Sequence, residues 1–178
     1  MREDATPDRG RVRRAAAGSA VFFAAAPGVM AGLVPWLLTR WERGGDWSLP
    51  LRVIGVVLIA AGGAFVVHAF VRFVVEGVGT PAPVAPTRHL VVGGVYRYVR
   101  NPMYLAVAAT IAGQAILLGR AVLLLWLAVF LVAVVAFVRG YEEPTLRDTF
   151  GEEYEAYRRA VPGWWPRLRQ EVEQQREV

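Results

Sequence analysis

An all-α fold built on about four membrane-spanning helices, the last two forming a helical hairpin, follows from three observations on the sequence. The chain has 178 residues, one domain by length, yet 55% of it is hydrophobic and its mean hydropathy is +0.36. A soluble domain of this size carries less apolar surface. The apolar residues are gathered into four long runs, and charge is kept out of them: all 20 cationic side chains are Arg, with no Lys, and nearly all lie between or beyond the runs. Runs of this length in lipid must be helices and not strands, because their backbone groups have no water to pair with. The chain has no Cys, and His68 and His89 are its only imidazoles. Disulfides, thiolate nucleophiles and Cys-based metal sites are therefore excluded, and no metal centre is expected.

The first run, Ala15 to Leu38, is 24 residues without a charge, with Pro27 and Pro35 placed to kink it. A signal peptide is the alternative, since Arg13 and Arg14 precede it, but the apolar stretch continues twelve residues past the Ala24–Ala26 site that would have to be cut. The second run, Val53 to Val71, is 19 residues and contains His68. Gly55, Ala60, Ala61, Gly62, Gly63 and Ala64 pepper it with small side chains that let helices approach closely. His68, Arg72 and Glu76 fall at i, i+4 and i+8, one face of a helix, and read either as a polar stripe beside a cavity or as interfacial anchors. The third run, Met103 to Gly119, and the fourth, Ala121 to Val138, are 17 and 18 residues, short for spans, and only Gly119 and Arg120 separate them. That spacing predicts a tight hairpin. Gln114 in the third run reads as helix–helix glue or as a ligand contact.

Arg counts set an orientation. The N-terminal tail holds five, the segment from Arg72 to Pro102 four and the region from Arg139 onward seven, against three in the 39–52 loop and one at the 119–120 tip. The positive-inside rule then puts both termini and the central loop in the cytoplasm, as a multi-pass protein of the cell inner membrane. Nearly all the polar mass lies on that side, so the chemistry is expected there. The excess charge, which elsewhere would suggest nucleic acid, is read as topology, and no nucleic-acid partner is expected.

In the central loop, Pro81, Pro83 and Pro86 make an extended lead, Gly93–Gly94 signals a turn, and Pro102 suits the first turn of the third helix. Tyr96, Arg97, Tyr98, Arg100, Asn101 and Tyr104 crowd that turn. An aromatic and basic interfacial belt accounts for their abundance, whereas a helix N-terminus there would also suit an anion. After the fourth run, Glu142 and Glu143 emerge side by side; neighbours on a helix point about 100° apart, so at most one enters a cavity. Phe150, Tyr154, Tyr157 and Val161 then recur at helical spacing opposite Glu152, Glu153, Glu155, Arg158 and Arg159, an amphipathic helix that Pro162–Gly163 ends. Trp164 and Trp165 read as headgroup-level anchors or as the lining of a lipid entrance.

Together, Leu90-Val91, Gly94, Tyr96, Arg100-Asn101-Pro102-Met103-Tyr104, a hairpin, Glu142-Glu143, Phe150-Gly151, Tyr154, Tyr157 and Val161-Pro162 resemble the pattern of the membrane methyltransferases that include isoprenylcysteine carboxyl methyltransferase and the phospholipid methyltransferases. The runs make one membrane domain over 1–178, with a cytoplasmic tail 1–14, two spans within 15–75 and a polar tail 163–178; the resemblance, which covers roughly Arg88 to Pro162, implies a methyltransferase-like core 76–162 with a small cytoplasmic cofactor-binding region. It implies S-adenosylmethionine as cofactor, held by residues matching Arg88, His89, Leu90, Val91, Tyr96, Asn101, Pro102, Met103, Tyr104 and Glu142. A lipophilic acceptor would enter from the bilayer. The chain departs from the pattern twice: Asn101 stands where His is usual, and the arginine associated with an acceptor carboxylate aligns to Val138, with Arg139 next. The first removes any titratable group at that position, and the second leaves recognition of a prenylcysteine carboxylate open.

Methyl transfer is an in-line displacement that asks the protein mainly for alignment and exclusion of water. Arg139 is the candidate to steady an anionic acceptor, and Glu143 or His68 to take a proton from an amine. Two rival readings are an NADPH-dependent membrane lipid reductase of the sterol type, similar in its C-terminal half, and a non-enzymatic membrane scaffold or transport subunit. The apolar lining of such a pocket does not distinguish a carboxylate, a thiol or an amine as acceptor.

Overall fold

The computed structural model describes residues 25–45, 47–76, 90 and 92–166. Every regular element among them is helical. Helix α1 runs over Ala25–Thr39 and α2 over Leu49–Glu76; α3 is Pro102–Leu118, α4 is Ala121–Phe150, and α5 is Glu152–Ala160. A single 3₁₀ turn, Gly94–Arg97, precedes α3. The stretch Leu49–His68 of α2 and the whole of α4 are long and apolar enough to cross a membrane, while α1 and α3 are shorter apolar helices. Only 11% and 22% of the most apolar stretches of α2 and α4 are buried. They are therefore not the interior helices of a water-soluble core. Val53, Ile54, Val56, Val57, Leu124, Leu125, Val129 and Val132 face outward, a continuous apolar surface that belongs against lipid.

The expected third-run helix and its hairpin are present, closed by Gly119 at φ +63°. Only a residue without a side chain fits there, since a Cβ would stand 2.7 Å from Trp47 Nε1. The fourth run does not stop near Val138: its helix continues to Phe150 because Glu142, Glu143 and Arg147 are good helix formers, and it ends only at Gly151. The 119–120 tip meets the connection between α1 and α2, where Gly44 N–H donates to Leu118 O at 2.8 Å and Arg120 Nε to Glu42 O at 3.0 Å. The start of α3 and the end of α4 therefore share the opposite end of the bundle.

Two π-helical turns shape the bundle, Val29–Leu33 in α1 and Val138–Glu142 in α4, and each ends two residues before a proline, Pro35 and Pro144. Proline has no N–H to give the carbonyl four residues back, and its ring crowds that carbonyl; widening the preceding turn relieves the crowding. In α1 the freed carbonyls are used. Pro35 leaves Ala31 O without a helical donor, and Val34 N–H reaches back to Val29 O, which frees Met30 O. Gln114 Nε2 of α3 donates to Ala31 O at 2.6 Å, and Trp126 Nε1 of α4 donates to Met30 O at 2.9 Å. Gln114 is thus helix–helix glue, and its 6% exposure reflects a proline one helix away. Its Oε1 has no hydrogen-bond partner, so Gln114→Leu exchanges one interhelical bond for relief of a buried acceptor. We expect a loss of only about 0.6 kcal/mol, read by thermal unfolding in detergent, with ligand binding unchanged about 15 Å away along α3.

The core joins Val107 and Ile111 of α3 to Phe130, Val134 and Val138 of α4, with Met30, Ala31, Val66, Tyr104 and Trp164 packed around them. Small residues at Gly55 and Gly62 lie against α3, but Gly63 faces open space. His68 is exposed on the surface of α2. The Arg72 and Glu76 side chains, like the first half of the first run, lie outside what is described.

Candidate functional site

The polar end of the bundle collects residues from four stretches of chain. Helix α3 begins at Pro102 with Asn101 as its N-cap, and no side chain caps its first turn; the open N–H groups there are available to a ligand. Instead of capping, the buried Asn101 donates Nδ2 to Gly163 O at 3.1 Å. One turn into α3, Tyr104 Oη donates to Glu142 Oε2 at 3.0 Å. The π turn of α4 delivers that carboxylate. Tyr96, in the 3₁₀ turn, has its phenol pushed up in pKa by burial and then by the Glu142 charge, so it stays protonated and able to donate. Tyr157 Oη bonds Tyr96 O at 2.6 Å and holds that turn against α5. Burial raises the Tyr157 phenol as well.

Glu143, beside Glu142, turns elsewhere, as neighbours on a helix must. Its Oε1 accepts from Arg100 Nη1 at 2.8 Å, and its Oε2 lies 3.9 Å from Arg158 Nε. Arg100 Nη1 also donates to Tyr154 Oη at 3.0 Å, and Arg100 Nε to Val161 O at 3.0 Å. Solvation, the usual fate of paired surface glutamates, applies to neither residue. Trp164 packs toward Tyr104, ring centroids 6.4 Å apart and tilted by 36°, whereas Trp165 is 82% exposed.

The structure therefore brings together Tyr96, Asn101, Pro102, Met103, Tyr104, Glu142 and Glu143. Leu90 is half-buried at the margin of the described chain. Arg88, His89 and Val91 lie outside the described residues. Arg139 is not in the cluster: it is exposed, while Val138 before it is 2% exposed and packs in the core. The expected amphipathic face is present in α5, with Tyr154 and the following Val161 buried, but Phe150 is not part of that helix: it ends α4, and Gly151 at φ +53° separates the two. Sequence reasoning left Arg100 as a candidate for chemistry without a role and read Trp164 as an anchor or a lipid-entrance lining, and it assigned no site position to Tyr154, Tyr157 or Gly163. A signal for the two tyrosines was available, because a hydroxyl on the buried face of an amphipathic helix needs a partner.

A carboxylate paired with a phenol, an uncapped helix N-terminus and aromatic faces form a donor and acceptor set suited to a zwitterionic, cationic ligand. The family model described as phospholipid methyltransferase matches residues 51–153, more than half of the chain and all of α2 from its third residue to the start of α5. No curated protein and no solved structure matches the chain.

Proposed function

Because the chain belongs to the phospholipid methyltransferase family, we propose that it is an integral-membrane methyltransferase that uses S-adenosylmethionine to methylate a lipophilic acceptor reaching the site from the bilayer. The observation that carries this reading is the Tyr104–Glu142 pair at the uncapped start of α3, inside the family segment. A family of methyltransferases also favours methyl transfer over the reductase and scaffold readings. We place the chain in the cell inner membrane with four spans and both termini cytoplasmic; the outward apolar faces and the Arg count of the connecting segments in the sequence support this.

The residues present fit the cofactor. Glu142 would accept from hydroxyl or amino groups, Tyr96 and Tyr104 would offer phenols and π faces to a sulfonium, and the first-turn N–H groups of Met103 and Tyr104 would take a carboxylate. Leu90, with Arg88, His89 and Val91 outside the described residues, is assigned to the same cofactor by the family resemblance. The bound cofactor supplies an electrophilic methyl carbon, whose bond to sulfur breaks as its bond to the acceptor forms. The protein's part is to line up the acceptor and exclude water. A carboxylate or thiolate acceptor needs no base. For a lipid amine a proton must also be taken up; Glu143, the candidate from the sequence, is held by Arg100 through Oε1 and lies 3.9 Å from Arg158 through Oε2, turned away from the Tyr104–Glu142 pair.

Calorimetric titration of detergent-solubilised protein with S-adenosylmethionine tests the reading; saturable binding is expected, and its absence sinks it. Mass spectrometry of membranes incubated with a labelled methyl donor would then identify the acceptor. Arg139, exposed at the end of the apolar part of α4 and outside the cluster, remains the residue we propose for an anionic group on that acceptor. Arg139→Ala is expected to raise KM for an anionic acceptor by about 3-fold with kcat unchanged, the size of an exposed charge contact; an unchanged KM would remove Arg139 from the site.

A further inference from the structure

The segment just after α5 is tied down at three consecutive carbonyls. Arg100 backbone N–H donates to Pro162 O at 3.0 Å, and Arg100 Nε to Val161 O at 3.0 Å. Asn101 gives Gly163 O two bonds, from its backbone N–H at 3.2 Å and from Nδ2 at 3.1 Å. Three consecutive carbonyls are thus held by two consecutive residues. The chain passes so close that a Cβ on Gly163 would lie 3.2 Å from Arg100 Nη2. Arg100 is in turn oriented by Glu143 and Tyr154, which both accept from Nη1. The Arg100 and Glu143 side chains are 14% and 18% exposed, dry enough for the charged contacts to be firm. The strap ends with Trp164 set against Tyr104, whose hydroxyl holds Glu142.

We infer that Arg100 is a positioning residue which fixes Val161–Trp164 across the methyl-donor site, and that Trp164 forms a wall of that site. The strap lies beyond the 51–153 segment that matches the family. It reaches the donor through Tyr104: if the strap moves away, Tyr104 loses the indole against which it packs, and its bond to Glu142 loses its shelter from water. A planar guanidinium can serve Val161 O, Glu143 and Tyr154 at once from two nitrogens, which the single ammonium of lysine cannot do. The claim that the strap matters for binding rests on the donor reading above; the claim that Arg100 holds it does not.

Arg100→Lys keeps the charge and is the variant of choice, with Tyr154→Phe as the milder change should Arg100→Lys fail to fold. Hydrogen exchange at the backbone amides of residues 100 and 101, which donate to Pro162 O and Gly163 O, and calorimetric affinity for S-adenosylmethionine are measured on the full chain in detergent. Arg100→Lys is expected to speed exchange at these two amides by about tenfold and leave the rest of the bundle unchanged. Donor affinity is expected to fall about tenfold, and KM for the donor to rise with kcat within about twofold. Trp164→Ala is expected to weaken the donor similarly without changing exchange. Faster exchange with unchanged donor affinity would overturn the wall, and unchanged exchange would overturn the strap. Faster exchange spread over the whole bundle would reduce Arg100 to a general structural residue and overturn the proposal. A wild-type protein that binds no donor would overturn the functional reading, while exchange alone would still report whether Arg100 holds the strap.

Discussion

Glu142→Ala is expected to weaken S-adenosylmethionine binding by about 100-fold, the cost of removing a half-buried carboxylate that accepts charge-assisted hydrogen bonds. The effect should exceed that of any other single change at the site. Glu142 is the carboxylate that the π turn aims at Tyr104, because Glu143 is drawn off by Arg100. Its negative charge also matches a ligand whose reactive centre is a cation. Glu142→Gln keeps the shape and one acceptor oxygen but removes the charge, so an intermediate loss of about tenfold is expected. Tyr104→Phe separates ligand binding from packing: it deletes the same internal bond at 3.0 Å and leaves the carboxylate in place, so its effect should be about tenfold smaller than that of Glu142→Ala. Titration calorimetry on the three variants checks the order. A Glu142→Ala protein that binds the donor like wild type would remove this residue from the site.

Gly113→Val is expected to destabilise the bundle by about 3 kcal/mol, the upper part of the usual range for overpacking, and to lower the melting temperature in detergent by about 10 °C. Gly113 and Gly55 face one another where α3 crosses α2: a Cβ at Gly113 would lie 2.7 Å from Gly55 O, and one at Gly55 would lie 2.9 Å from Gly113 O. Two backbones in mutual contact have no flexible side chain that can move aside. In lipid, where apolar burial gives little reward for helix association, such close packing supplies much of the attraction. Gly63, also on α2, meets nothing within 4 Å, so Gly63→Ala should melt within about 2 °C of wild type. Equal melting of the two variants would mean that the crossing is looser than these distances require.

Much of the architecture was legible because it follows from local rules. The α3–α4 hairpin came from two apolar runs with a Gly–Arg tip, and the start of α3 from Asn-Pro. The amphipathic face of α5 came from Tyr154, Tyr157 and Val161 at helical spacing. The small residues of α2 signalled close packing, but which of them packs was not readable: Gly55 and Gly62 face α3 and Gly63 does not, since the choice depends on where the partner helix crosses. The apolar run that ends at Val138 did not show how far its helix extends, because hydropathy reports where a helix leaves the apolar layer, and α4 continues to Phe150.

The candidate site divides along the same line. The resemblance to the membrane methyltransferases singled out Tyr96, Asn101 to Tyr104 and Glu142 as a cofactor-holding set. Helical spacing by itself said only that Glu142 and Glu143 point apart, and which of them meets Tyr104 depends on the π turn before Pro144. Nor could spacing separate Val138, buried in the core, from Arg139, exposed beside it.

By itself the sequence determined what each segment is: apolar helices, a short hairpin, Arg kept to the connections, and chemistry-bearing residues confined to two stretches. Periodicity and hydropathy are properties of neighbouring residues and need no fold to be read. Only the tertiary structure decided which groups meet. Arg100 and Val161 are 61 residues apart, and Gln114 and Ala31 are 83 apart. Such pairings follow from the crossing of helices and from carbonyls that prolines leave free, and no local pattern encodes them.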